Sequence, residues 1–309
     1  MLSYNFGQNF LKLKNRSILH FVVLILLAIT WGSSFILMKL ALKDPSGLPV
    51  LHPEQIAAMR MCIGALVLFP VSVMAFRKIK KTDLKWIAVV GLIGSGIPAV
   101  LFTLSQQYLD SSVAGVLNAL TPLFTLIIGI TVLRRVASPR QVVGVLVGLI
   151  GAVSLIVVNG PGNTQNWWAS LLIVVATLCY GISVNTISSK LNHVHPLHIT
   201  ALSLLMAAVP WSIYLMTTDL GQILREHPHG YSSLGYVATL AVFGTCMANI
   251  LYFWLTQEKN PLFASSVTYL MPLVAIGWGV LDGEAFTVLH LLCCLIILAG
   301  VWLVTRKKQ

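Results

Sequence analysis

Asn249, Tyr252 and Thr256 fall three and four residues apart, on one stripe of a helix, inside an otherwise apolar run. An amide, a phenol and a hydroxyl so placed can orient a polar solute, but no catalytic constellation accompanies them. The same mixture recurs along the chain. Trp31 and Ser34 lie deep in the first apolar run, Asn118 and Thr121 in the fourth, Tyr180 and Asn185 in the sixth, and Thr268 and Tyr269 in the ninth. Trp31, Ser34, Asn118, Thr121, Tyr180, Asn185, Asn249, Tyr252 and Tyr269 are therefore candidate solute contacts. The rings would supply apolar or stacking contact and the amides and hydroxyls orientation. Each has a plainer alternative: Ser34 can bond to a carbonyl one turn back, and amides can glue helices together.

Two cations and four helix breakers complete the set. Lys39 stands near the end of the first run, where it either snorkels to the headgroups or faces the interior. Arg60 lies about two turns into the second run. It is read as a structural clamp on Glu54 or on loop carbonyls, with attraction of an anionic group as the alternative. Both are grouped as structural or gating charges. Gly94, near Gly96 and Pro98, and Pro122, Gly244 and Pro272 interrupt apolar runs and are read as hinges, with a packing kink as the alternative for any one of them.

The elements that carry these residues must be membrane helices. Only 9% of the 309 residues are charged and 57% are hydrophobic, whereas a soluble domain carries roughly a quarter charged residues. Ten apolar stretches have the ~20-residue length of a span: 17–41, 54–76, 84–106, 112–133, 140–159, 166–189, 198–218, 234–256, 262–281 and 286–305. The formal charge of +11 is no nucleic-acid footprint, because the basic residues sit in short clusters between these stretches. Counting Lys and Arg with the first end inside puts Lys12, Lys14, Arg16, Arg77, Arg134, Arg135, Lys190 and Arg306 on one side, so both termini are expected in the cytoplasm. The first run is read as an uncleaved span, not a signal peptide. Cys62, Cys179, Cys246, Cys293 and Cys294 all sit in apolar runs as small hydrophobes, without metal-ligand spacing. No metal or other cofactor is expected.

The two halves echo one another. Thr121-Pro122-Leu123 answers Met271-Pro272-Leu273, Ser105-Gln106 answers Thr256-Gln257, and Trp31-Gly32 answers Tyr180-Gly181. The expected fold is therefore an all-α polytopic membrane protein with ten transmembrane helices in two inverted five-helix repeats. The repeats would cover 17–159 and 166–305, with cytoplasmic ends at 1–16 and 306–309. No carboxylate lies mid-span to relay protons, and no phosphate-binding loop of the form GxxxxGK[ST] is present.

Over about 20–305 the chain resembles EamA-like permeases of the drug/metabolite transporter superfamily. The resemblance rests on Thr30-Trp31-Gly32-Ser33-Ser34-Phe35 with Lys39, on Arg60, and on Thr121-Pro122-Leu123. It implies a central pocket between the repeats, with spans five and ten at the periphery or at a subunit interface, which leaves a homodimer open. It also implies amino acids, metabolites or drugs as substrates, commonly exported. The second half departs from the pattern in lacking the Trp-Gly-Ser-Ser string. The expected function is secondary transport of a small amphipathic organic solute by alternating access, in a plasma or bacterial inner membrane. A solute channel and a non-transporting membrane scaffold are the alternatives, and the lipid bilayer and the solute are the expected partners.

Overall fold

The computed structural model describes residues 2–134, 136, 138–159, 167–284 and 287–305, the side chains of 2–17, 156–159, 301, 304 and 305 excepted. Arg135, the turn at 160–163 and the tail at 306–309 lie outside the described residues, as do the side chains of Lys12, Lys14 and Arg16. Apart from one isolated bridge between Lys43 and Pro49, regular structure among the described residues is helical.

Helix α1 (Leu2–Leu42) is apolar from Ile18 onward and ends in a turn where the Asp44 carboxylate accepts from the Ser46 and Leu48 amides, each at 2.9 Å. Pro53, whose missing N–H costs nothing at a first turn, opens α2 (Pro53–Val67). Then come α3 (Phe69–Phe76), α4 (Lys81–Gly91), α5 (Ile97–Ser105), α6 (Ser111–Asn118), α7 (Thr121–Thr131) and α8 (Pro139–Asn159). The second half holds α9 (Trp167–Lys190), α10 (Pro196–Met216), α11 (Leu220–Glu226), α12 (Gly230–Thr239), α13 (Ala248–Glu258), α14 (Pro261–Ser265), α15 (Met271–Leu281) and α16 (Val288–Thr305). A π-helical segment, Leu92–Gly96, joins α4 to α5, and another, Leu240–Met247, joins α12 to α13. A 3₁₀ turn, Ser266–Tyr269, follows α14.

The expectation of ten full spans in two sets of five is not met. Among the described residues, seven helical stretches are long and apolar enough to cross a membrane, or eight if α2 and α3 count as one span. Those two are bent by 66°, because Pro70 offers no N–H to the Leu66 carbonyl and its ring crowds the preceding turn. The described apolar parts of α8 and α16, Pro139–Leu155 and Val288–Gly300, are shorter than a span requires. Hydropathy counts apolar residues; it is blind to a bend and to how much of a run forms one straight apolar helix. The chain is all-α and polytopic on this smaller number of spans.

Backbone irregularities come in the same order in both halves. A π segment precedes α5 and α13, and a break precedes α7 and α15. Pro98 cannot donate to the Gly94 carbonyl, and just before it the helix loosens so that the Ile97 amide reaches Leu92 instead. Gly94 is needed there for a second reason, since a Cβ on it would collide with the Ser183 side chain on α9. Pro122 likewise leaves the Asn118 carbonyl without its helical donor, and span four breaks between α6 and α7.

Packing follows from these elements. The largest buried cluster draws Phe35, Phe102, Leu117, Leu120, Ile173 and Met271 together from α1, α5, α6, the break after α6, α9 and α15. The outer faces stay apolar and exposed, as with Phe21, Ile25 and Ile29 on α1 and Leu146, Leu149 and Val153 on α8, which suits contact with lipid tails. Helices α8 and α16 run against each other with their backbones close. A Cβ on Gly300 would fall 2.6 Å from the Gly148 Cα and 2.7 Å from the Gly144 carbonyl oxygen.

Gly300→Leu is therefore expected to push α8 and α16 apart and to cost about 1–3 kcal/mol. Thermal melting of the purified protein in detergent checks this. Gly277→Ala, where an added Cβ meets nothing within 4 Å, is the control and should melt like the parent.

Candidate functional site

The irregular segments border a cavity of about 100 Å³, several times the ~15 Å³ that one buried water needs on the same measure. From α1 it takes Trp31, Ser34, Phe35 and Met38, which follow the i, i+3, i+4, i+7 spacing of one helix face. Arg60 and Met61 reach it from α2. Gly94, Ser95, Pro98 and Phe102 come from the first π segment and α5, and Asn118 and Thr121 from the break between α6 and α7. Tyr180 and Ser183 project from α9, Gly244 and Thr245 from the second π segment, and Asn249 and Tyr252 from α13.

Side-chain donors meet backbone carbonyls in the second π segment and at both breaks. The Trp31 indole N–H donates to the Gly244 carbonyl at 2.8 Å, so the first span holds the second π segment. The Thr245 hydroxyl donates to Leu240 at 3.1 Å. The Thr121 hydroxyl donates at 2.9 Å to the Asn118 carbonyl that Pro122 left open, and Thr268 donates at 2.8 Å to Ser265 in the 3₁₀ turn. Without such donors an apolar interior would charge about 1–3 kcal/mol for each orphan group.

Aromatic rings form two walls. Trp31 meets Tyr252 edge to face, with centroids 5.0 Å apart. Phe35 lies 5.9 Å from Phe102, which stacks at 5.9 Å on Tyr180. Between these walls stand polar groups that the protein leaves open. The Asn249 amide and the Tyr180 and Tyr252 hydroxyls line the cavity with no hydrogen-bond partner among the described residues. The Asn118 amide is more committed, donating to the Met271 sulfur at 3.4 Å. Ser34 donates to the Thr30 carbonyl one turn back, at 2.9 Å.

Seven of the nine expected contacts thus line one cavity, and two do not. Asn185 donates to the Thr125 and Gly181 carbonyls, both at 2.9 Å, and so ties α9 to α7. At about 100° per residue it lies some 140° around the helix from Tyr180. Tyr269 packs against the main buried cluster, one 3₁₀ step away from the cavity-lining Thr268. Of the four expected hinges, Gly94 and Gly244 lie in the π segments, while Pro122 and Pro272 open α7 and α15 just after the breaks. Phe35 and Met38 were missed, although their spacing from Trp31 pointed to them. Phe102, Ser183 and Thr245 carried no comparable signal.

The two cations part company. Arg60 is not a clamp on Glu54; it lines the cavity and donates to the Thr245 hydroxyl at 3.2 Å and weakly to the Met38 sulfur at 3.6 Å. Lys39 does not snorkel. It pairs with Asp282 at 2.5 Å and with Glu284 at 3.0 Å, beyond the end of α15. Glu284, its side chain 2% exposed, also accepts from the Ser111 and Ser112 amides at 2.9 and 3.0 Å and from the Ser112 hydroxyl at 2.8 Å. It thereby caps α6, where an anion complements the helix dipole. One carboxylate joins α1, α6 and the loop after α15.

Burial alone would push the Glu284 carboxyl up, but the amide, hydroxyl and ammonium donors outweigh it and hold it below its ordinary 4.5. A carboxyl lowered in the folded state contributes its stability above the unfolded value and loses it as pH falls through the folded one. Glu284→Gln should therefore melt below the parent at pH 7, by about 2 kcal/mol for the lost charged hydrogen bonds. The gap should narrow steadily as melting is repeated below pH 4.5. Among the described residues no cluster of three or more His, Cys, Asp or Glu side chains could hold a metal.

The model of the EamA-like transporter family matches the chain twice, over residues 18–157 and 167–306. A protein of Archaeoglobus fulgidus described as an uncharacterized transporter is 25% identical over 288 residues, covering 93% of this chain and 99% of the relative. The uncharacterized inner membrane transporter YedA of Escherichia coli (strain K12) is 27% identical, covering 93% and 91%. The S-adenosylmethionine/S-adenosylhomocysteine transporter of Chlamydia muridarum is 24% identical, covering 84% and 83%. A solved crystal structure superposes with a TM-score of 0.62 over 92% of this chain and 95% of that one, at 15% identity, a likeness of fold alone. With its membrane-spanning helices and a family match over most of its length, the chain is a multi-pass membrane protein, not an enzyme, and it belongs to the EamA-like transporter family.

Proposed function

We propose that this protein is a secondary transporter of small organic solutes, working by alternating access, with export as its direction. The observation that carries the reading is the cavity itself, whose walls are the irregular parts of the helices. Non-helical backbone is tolerated at membrane depth where it borders a cavity, and transporters place substrates at such discontinuities. Here both π segments and residues of both breaks contribute to one lining. In the proposal Trp31 and Tyr252 contact the apolar body of the solute, while Asn118 and Asn249 orient its polar groups. Gly94, Gly244, Pro122 and Pro272 mark where the backbone flexes when the cavity opens to one side or the other.

The setting proposed is a cell membrane, and the inner membrane for a bacterial host, as the name of the Escherichia coli relative has it. The basic residues flanking the chain ends support placing both termini in the cytoplasm. Reporter fusions at each end should both score as cytoplasmic, and a periplasmic signal from either would reverse that orientation.

Sealed liposomes containing the purified protein test the transport reading. A panel of labelled amino acids, aromatic metabolites, cationic drugs and S-adenosylmethionine should include a solute that shows saturable uptake and counterflow. A channel would give flux without counterflow, and a scaffold none. For the solute so found, Trp31→Phe keeps a ring but removes the hydrogen bond to the Gly244 carbonyl, and should slow transport about tenfold, the equivalent of ~1.4 kcal/mol. Unchanged transport by Trp31→Ala would remove Trp31 from the site.

A further inference from the structure

We propose that Arg60 is the anion-binding group of the cavity, and that the solute it takes is a small organic anion, a carboxylate first of all, with an apolar or aromatic body. This rests on the reading of the cavity as a solute site and narrows it to a chemical class.

A guanidinium carries five N–H donors and stays charged in a protein. Two of the terminal nitrogens of Arg60 have partners, and both partners are neutral: the Thr245 hydroxyl oxygen at 3.2 Å and the Met38 sulfur at 3.6 Å. The Thr245 proton is already directed to the Leu240 carbonyl, so Arg60 uses only a lone pair there. Its Nε is shielded and has no partner. Among the described residues that line the cavity none is an Asp or a Glu. The carboxylates of Asp282 and Glu284 are committed to Lys39. An ionised group in so apolar a place ordinarily has a counter-charge or serves function.

The rest of the lining fits the same occupant. The planar fork of a guanidinium matches a carboxylate in a bidentate way. The open Asn249 amide and the Tyr180 and Tyr252 hydroxyls can donate to further oxygens. Trp31, Phe35 and Phe102 offer apolar surface for the body of the molecule. A purely cationic solute would meet one positive charge and no carboxylate, which disfavours it.

The test uses three probes of one shape and different charge: 3-phenylpropionate, 3-phenylpropanamide and 3-phenylpropylammonium. Calorimetry on the full-length protein in detergent should show the propionate binding at least tenfold tighter than the amide, with the ammonium weakest. Arg60→Gln should erase that preference to within twofold, and Arg60→Lys should keep part of it. Without ligand, Arg60→Gln should melt no lower than the parent, since it removes an unpaired buried charge.

Equal binding of propionate and amide by the parent, or tightest binding of the ammonium, would overturn the inference and leave the transport reading standing. So would an undiminished preference in Arg60→Gln. A ligand-free Arg60→Gln that melts several degrees lower would make Arg60 a clamp on Leu240–Met247 and sink the proposal likewise. If none of the three probes binds at millimolar concentration, the inference falls, and the transport reading is decided by the liposome panel alone.

Discussion

A carbonyl that loses its helical donor inside a bilayer has no water to turn to, so another part of the protein must supply the hydrogen. That requirement organises the centre of this molecule. Pro122 withholds a donor from Asn118, and the Thr121 hydroxyl supplies one. In the second π segment the Gly244 carbonyl receives its hydrogen from an indole on a different span, more than two hundred residues earlier in the chain. Each replacement comes from a side chain bordering the cavity. The polar groups of the lining are therefore of two kinds, those already spent on the backbone and those left over. Trp31, Thr121 and Thr245 belong to the first kind, Asn249, Tyr180 and Tyr252 to the second.

This division explains what could be read from the sequence and what could not. The breaks were legible, because proline and glycine advertise lost hydrogen bonds wherever they fall in an apolar run. Trp31, Asn249 and Tyr252 were legible because large polar side chains are out of place there. The direction a side chain takes was not. Asn185 carries the same chemistry as Asn249 but lies on the side of α9 that faces α7, and its amide ties two helices together. Phe35, Met38 and Phe102 line the cavity while looking like ordinary core. The number of spans failed for a related reason. A hydropathy window passes over the 66° bend between α2 and α3 as if it were straight.

Lys39 and Arg60 resemble each other in sequence, each a lone cation near apolar residues. Tertiary structure separates them. Lys39 meets Asp282 and Glu284, residues some 240 positions away, and through Glu284 it reaches the start of α6. The signal for that partnership was present in the acidic pair flanking Gly283, although only folding brings the pair to the end of α1. Arg60 meets a hydroxyl and a thioether. One cation is neutralised by the protein in building the fold. The other has its charge balanced by nothing nearby among the described residues.

The π segment Leu92–Gly96 has a further consequence. An i→i+5 loop holds one residue more than an α-helical turn, so everything after it is rotated by about 100° from where an uninterrupted helix would put it. Phe102 faces the cavity because the π segment takes up that extra residue. Removing one residue between 92 and 96 would let the helix close into regular register, at little cost to its own backbone, and would leave Phe102 on the face that meets Tyr180. A one-residue deletion in α9 has no such slack to absorb it. The chain can thus lose a residue in this π segment with less damage to its architecture than in a regular helix, and what it forfeits there is the loosened backbone by which Gly94 and Ser95 line the cavity.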